Sequence, residues 1–190
     1  MQLGPALRRL AAPLVALVVL ACGTGSPHAA VARDDAILNG NGIATIHFGA
    51  SELAAIRDTR RRLGLGAPRL EPNDDPNCGV KQDASWSSLT LVFSPALSLV
   101  GYIYRGRALT TAAGLRVGDT VARARMLYGH QLTISAVQGG AWFASTPAGR
   151  LAGYLKDVPV TTDPTVGTPA SKNTVISIEA GTVGCPAMTP

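Results

Sequence analysis

Charge and aromatic side chains are both scarce in this chain. Asp, Glu, Lys and Arg make up 15% of the 190 residues and Phe, Trp and Tyr 5%, whereas 46% are hydrophobic. Little charge with much apolar residue excludes a globally disordered chain. Few aromatics, with arginines spread along the sequence, argue against nucleic acid, whose binders gather positive charge on one face and interleave aromatics. Metal and redox signatures are missing too. There are only three cysteines and no C-x-x-C, so neither a zinc ribbon nor a thioredoxin-type site is expected. The three histidines, His28, His47 and His130, lack any H-x-x-x-H spacing. Gly23-Thr24-Gly25-Ser26 is not a nucleophile elbow. Gly40-Asn41-Gly42 and Gly64-Leu65-Gly66 lack the strand-then-helix setting of a phosphate loop. Asp74-Asp75 reads as a solvated turn before it reads as a calcium site, and Glu179 and Asp157 are carboxylates with no partner nearby in sequence. The expectation is a protein with no catalytic residue, no metal and no cofactor, hence not an enzyme.

What the chain does contain begins at its amino terminus. Arg8 and Arg9 precede an apolar run from about Leu10 to Cys22, a stretch shorter than the ~20 residues that span a bilayer. This is the pattern of an export signal. Without those two arginines, fifteen Lys and Arg face twelve Asp and Glu, a mild excess of about +3. Two cleavage readings compete. Val19-Leu20-Ala21-Cys22 looks like a bacterial lipobox, which makes Cys22 a lipidated first residue. Ala30-Val31-Ala32 is an A-x-A site whose use would release a soluble protein starting near Arg33. Cysteine arithmetic favours the first: an odd cysteine in an exported protein needs a role, and a lipid thioether on Cys22 supplies one. Cys78 and Cys185, both in glycine-flanked loop contexts, are then an even pair for a disulfide in an oxidising compartment.

Residues 22–35 read as a flexible tether after a signal peptide of residues 1–21. A weak repeat follows, with units expected at 36–112 and 113–190. Phe48-Gly49-Ala50-Ser51 corresponds to Val117-Gly118-Asp119-Thr120, and Leu63-Gly64 to Tyr128-Gly129. Ser51 and Thr120 are natural N-caps, and Gly64 and Gly129 suit the left-handed residue that closes a helix. Leu53, Ile56, Arg60 and Leu63 share a face of the first helix, and Val121, Ala124 and Tyr128 share a face of the second. Alternation in LTLVF (89–93), LTISAV (132–137) and VISIE (175–179) predicts half-buried antiparallel strands. Residues 68–84 and 157–173 read as long surface loops.

A helix opened by a Gly-small-polar turn and closed by Leu/Tyr-Gly, then antiparallel strands, occurs twice. This pattern resembles the tandem α+β repeats of β-lactamase inhibitor proteins. It is also similar to uncharacterised exported lipoproteins of GC-rich Gram-positive bacteria, through Thr110–Thr120, Leu127-Tyr128-Gly129 and Ile178-Glu179-Ala180-Gly181 ahead of Cys185. The resemblance implies a module that binds proteins through its exposed sheet face. The expected fold is therefore α+β, two tandem helix-plus-antiparallel-sheet units packed as one compact domain and disulfide-linked. Core packing is the first reading of Trp86 and Trp142; alternatively they form, with Tyr102 and Tyr104, a possible binding surface across the sheet. The expected function is a non-enzymatic lipoprotein on the extracytoplasmic side of the cell membrane, binding an envelope protein or glycan. A small-molecule or lipid carrier, or a secreted protein cleaved after Ala32, is the alternative.

Overall fold

The computed structural model describes residues 37–73, 79–136, 139–158 and 169–183, all within one compact unit. The chain opens with three short strands, β1 (Ile37–Asn39), β2 (Gly42–Ile43) and β3 (Ile46–His47), then helix α1 (Glu52–Leu63). Four strands follow: β4 (Arg69–Pro72), β5 (Gln82–Ser85), β6 (Leu89–Phe93) and β7 (Leu99–Tyr104). The short β8 (Thr110–Thr111) leads to α2 (Val121–Tyr128), and the chain ends in β9 (Leu132–Ser135), β10 (Ala141–Thr146), β11 (Gly149–Tyr154) and β12 (Ile178–Gly181).

Eight strands form one antiparallel sheet in the order β4-β5-β6-β7-β12-β11-β10-β9, and a second sheet runs β3-β2-β1-β8. Register places a single row of side chains across the large sheet. Leu70, Ala84, Leu91, Tyr102, Ala180, Leu151, Ala144 and Leu132 each face the next. The small Ala84, Ala180 and Ala144 interrupt the large residues of this row, which leaves room for the layer above to interdigitate. That layer is the small sheet with the two helices: Leu38, Ile43 and Ile46, Ala55, and Val121, Ala124 and Tyr128 close over the row in one core. On the opposite face of the large sheet, Val80, Val92 and Val183 make a smaller apolar cluster with Val100 and Ile103.

The architecture corrects the expected fold class. Among the described residues there are twelve strands in two sheets and only two helices, of twelve and eight residues. This is a mostly-β fold, not a balanced pair of helix-plus-sheet units. The reason lies in β7. Leu99, Gly101, Tyr102 and Tyr104 are buried, and both edges of this strand take a strand partner. β6 supplies one and β12 the other, so strands from both halves of the chain join in one sheet. The disulfide link is likewise not part of the described fold. Cys78 and Cys185 lie outside the described residues, and no disulfide occurs among those that are described. β7–β12 pairing holds the halves together instead.

Other local expectations also shift. Residues 68–84 are not wholly loop, because Arg69–Pro72 and Gln82–Ser85 pair as an antiparallel hairpin. Of the second expected loop, residues 159–168 lie outside the described residues. α1 is rotated relative to its apolar pattern: Ala55 and Thr59 are buried, whereas Leu53 is 82% exposed. Its amino-terminal end is fixed by neighbours, since Glu52 N donates to Leu97 O at 2.8 Å and Gln82 Nε2 donates to the Glu52 carboxylate at 3.0 Å. α2 does bury Val121, Ala124 and Tyr128.

Candidate functional site

Four side chains were candidates for a binding surface; the fold puts Tyr102, Tyr104 and Trp142 in one core and packs Trp86 against it, so the core reading holds for Trp142. Tyr102 and Tyr104 stand two apart on β7, so both point to the core face, opposite Ile103. Tyr102 is fully buried, and burial pushes its phenol well above its ordinary value. Its hydroxyl donates to Asn39 O at 2.9 Å, tying β7 to the end of β1. The Tyr104 hydroxyl accepts from Ala108 N and Leu109 N at 2.9 and 3.0 Å and so shapes the turn after β7. Trp142 is 1% exposed and sits beside Gly153 in register, where a Cβ would lie 2.7 Å from its indole nitrogen. Trp86 is half-buried and donates from its indole to Gly66 O at 2.9 Å. No aromatic surface results. Sheet alternation is the cause, and the alternation was present in LVGYIY and AWFAST to be read.

The structure forms a concave site elsewhere. A cleft of about 270 Å³ opens between the end of β1, the carboxyl-terminal end of α2 and the β10–β11 hairpin. Leu38, Ala112, Ala113, Leu127, Tyr128 and Leu151 provide its apolar wall. Its polar groups are few. Tyr128 donates to Thr111 Oγ1 at 2.7 Å, and that oxygen also accepts from Leu115 N at 3.1 Å, so the wall behind Ala112 and Ala113 is braced. Burial raises the Tyr128 phenol, and the Thr111 bond works against that rise. Thr146 Oγ1 donates to Gly149 O at 2.6 Å and closes the hairpin tip. The side-chain amides of Asn39 and Gln131 line the cleft as well, and no hydrogen bond engages either among the described residues.

Two glycines next to lining residues bring neighbouring turns together. A Cβ on Gly40 would lie 2.2 Å from the Gly149 carbonyl carbon, so the β1–β2 turn and the β10–β11 turn touch backbone to backbone. Gly149 itself has φ of 104°, a conformation L side chains rarely adopt. Sequence reading missed this site because its walls come from four separate segments, 38–39, 112–113, 127–131 and 146–151, none with a motif of its own. A second hollow of about 360 Å³ at the β4–β5 edge has only Leu70, Pro72, Lys81 and Gln82 around it, a surface groove rather than a pocket.

The remaining chemistry is structural. Glu179 is 4% exposed on the outer face of β12, between Ile103 and Ala152. Ser177 donates to its carboxylate at 2.7 Å and accepts from Tyr154 N at 3.1 Å. Burial holds this carboxyl above its ordinary value, with the Ser177 bond and the Arg105 charge pulling it down. His47 and His130 are exposed, and no group of three metal-ligating side chains lies together among the described residues. Asp74 and Asp75 lie outside the described residues, as do His28 and Cys22 with the export signal and tether. Lipid attachment and membrane residence therefore gain no support from the fold. No helix among the described residues is long and apolar enough to cross a membrane.

No family model matches the chain, and no curated protein matches it. Among solved structures the chain is similar to the crystal structure of the uncharacterized protein yfeY from Escherichia coli. The TM-score is 0.49 at 8% identity, over 76% of this chain and 99% of that one, a likeness too low to argue from. Neither finding bears on the expected kinship with exported lipoproteins or β-lactamase inhibitor proteins.

Proposed function

We propose that this chain is a non-enzymatic binding module of the cell envelope, and that its cleft receives an apolar side chain from a protein partner. The observation that supports this is the cleft's size and lining together. Small-ligand pockets run to about 300–1,000 Å³. A space of about 270 Å³ falls below that range, which disfavours the carrier reading and suits one or two side chains. A glycan would want an aromatic platform, and the one aromatic ring here, Tyr128, is 6% exposed with its hydroxyl already bonded. The Asn39 and Gln131 amides each offer a donor and an acceptor, the pair of groups that a peptide backbone matches. The envelope address rests on the sequence of residues 1–32 alone.

Site-specific photocrosslinking in the native host tests the reading. A benzophenone amino acid at Ala113 should yield a discrete protein adduct, and the same probe at Arg57 on α1 should not. Adducts of equal yield at both positions, or an adduct with a lipid at Ala113, would defeat it. Mass spectrometry of the mature protein tests the address: an acylated amino-terminal Cys22 means anchoring, and a free terminus near Arg33 means secretion.

A further inference from the structure

Five arginines, at 105, 107, 116, 123 and 125, fall in a stretch whose only acid is Asp119. Apart in sequence, several of them meet in the fold. The guanidinium of Arg107 lies over the 116–119 turn, with its Nε 3.4 Å from where a Gly118 Cβ would stand. That turn is fastened to the segment 171–175: Gly118 N donates to Val175 O, and Val175 N to Asp119 O, both at 2.8 Å. The first turn of α2 docks on the same segment, with Val121 N on Asn173 O at 2.8 Å and Ala122 N on Ser171 O at 3.1 Å. Arg107, Arg116, Arg123 and Lys172 consequently share one neighbourhood, and all four are exposed.

The local acid does not neutralise them. The Asp119 carboxylate accepts from Arg116 N at 2.8 Å and is committed to holding the turn. On α1, by contrast, Arg57 and Arg61 pair with Asp58 at 2.9 and 3.3 Å. Among the described residues no ion pair engages Arg107, Arg116, Arg123 or Lys172. Met126, one helical turn beyond Arg123 on the outward face of α2, is 67% exposed. Neither hollow described above includes any of these residues.

We infer that this patch docks on an anionic phospholipid surface. Arginine forks match phosphate oxygens, and an exposed thioether beside them fits the headgroup boundary. A patch that lies outside both hollows suits an extended surface better than an inserted peptide. The absence of an aromatic residue from it leaves nothing on which bases would stack. The inference goes beyond the cleft reading and does not depend on it.

Co-sedimentation of the full chain with vesicles is the test. Phosphatidylcholine vesicles with about one-third phosphatidylglycerol should bind it more tightly than phosphatidylcholine alone, because basic residues near an anionic surface each add to the attraction. The triple variant Arg107→Glu/Arg116→Glu/Arg123→Glu should weaken that binding about tenfold or more. A control with the same charge change on α1, Arg57→Glu/Arg60→Glu/Arg61→Glu, should retain it. The milder Arg→Gln triple at 107, 116 and 123 covers the case in which the Glu triple does not fold. Equal loss in the patch and α1 variants would reduce the effect to net charge and overturn the inference. So would indifference to vesicle charge, or displacement from vesicles by polyglutamate or DNA at matched charge.

Discussion

At the scale of single residues, Glu179 carries the clearest consequence. Its carboxyl is buried on the outer sheet face, where Ser177 donates to it and the charge of Arg105 acts on it. Burial is the largest influence on it and raises its titration above 4.5, so the protonated form is favoured in the fold. The sign follows: this group's stabilising contribution is complete below the carboxyl's unfolded value and is lost as pH rises through the raised folded value. Asp83, also lifted by burial, adds in the same direction. Chemical denaturation measured from about pH 4 upward should therefore show a decline in stability that Glu179→Gln removes in large part. An unchanged profile in the variant would mean the carboxyl is solvated in solution. Glu179 was visible in the sequence only as an isolated carboxylate. Nothing local signals burial, which comes from its register between Ile103 and Ala152.

At the scale of elements, the two helix starts look alike in sequence and differ in structure. Thr120 caps α2, its hydroxyl accepting from Arg123 N at 3.2 Å. Ser51 makes no side-chain cap bond, because its backbone bridges Ser98 and Leu97 O already takes the Glu52 amide. Thr120→Ala should cost about 1 kcal/mol of stability, and Ser51→Ala should fall within a few tenths of wild type in the same denaturation assay. The contrast shows where sequence reading reaches. Strands β6 and β9 announce themselves through alternating apolar residues. β4 and β5 read RLEP and QDAS, polar and proline-bearing as an edge hairpin tends to be, and so pass for loop. α1 misleads because contacts at its amino-terminal end set its rotation, leaving Leu53 outside. The cleft was not legible at all: Leu38, Ala113, Leu127, Gln131 and Leu151 converge only after both sheets have formed.

At the scale of the whole molecule, the eight-stranded sheet makes the two halves interdependent. β7 is paired along both edges, with β6 on one side and, on the other, β12, the last strand among the described residues. The described residues should unfold in a single calorimetric transition, and a fragment of residues 37–112 should not fold alone. Two resolved transitions, or a folded fragment with native near-ultraviolet dichroism, would restore independent units. The same topology governs the order of events during synthesis. β12 pairs between β7 and β11, so its place in the middle of the sheet stands open until residues 178–181 have been synthesised. Until then two strand edges with apolar flanks lie exposed, the state most prone to pairing with other chains. A nascent chain of this kind is safest held unfolded until β12 has been made, so its dependence on a chaperone should persist until residues 178–181 emerge.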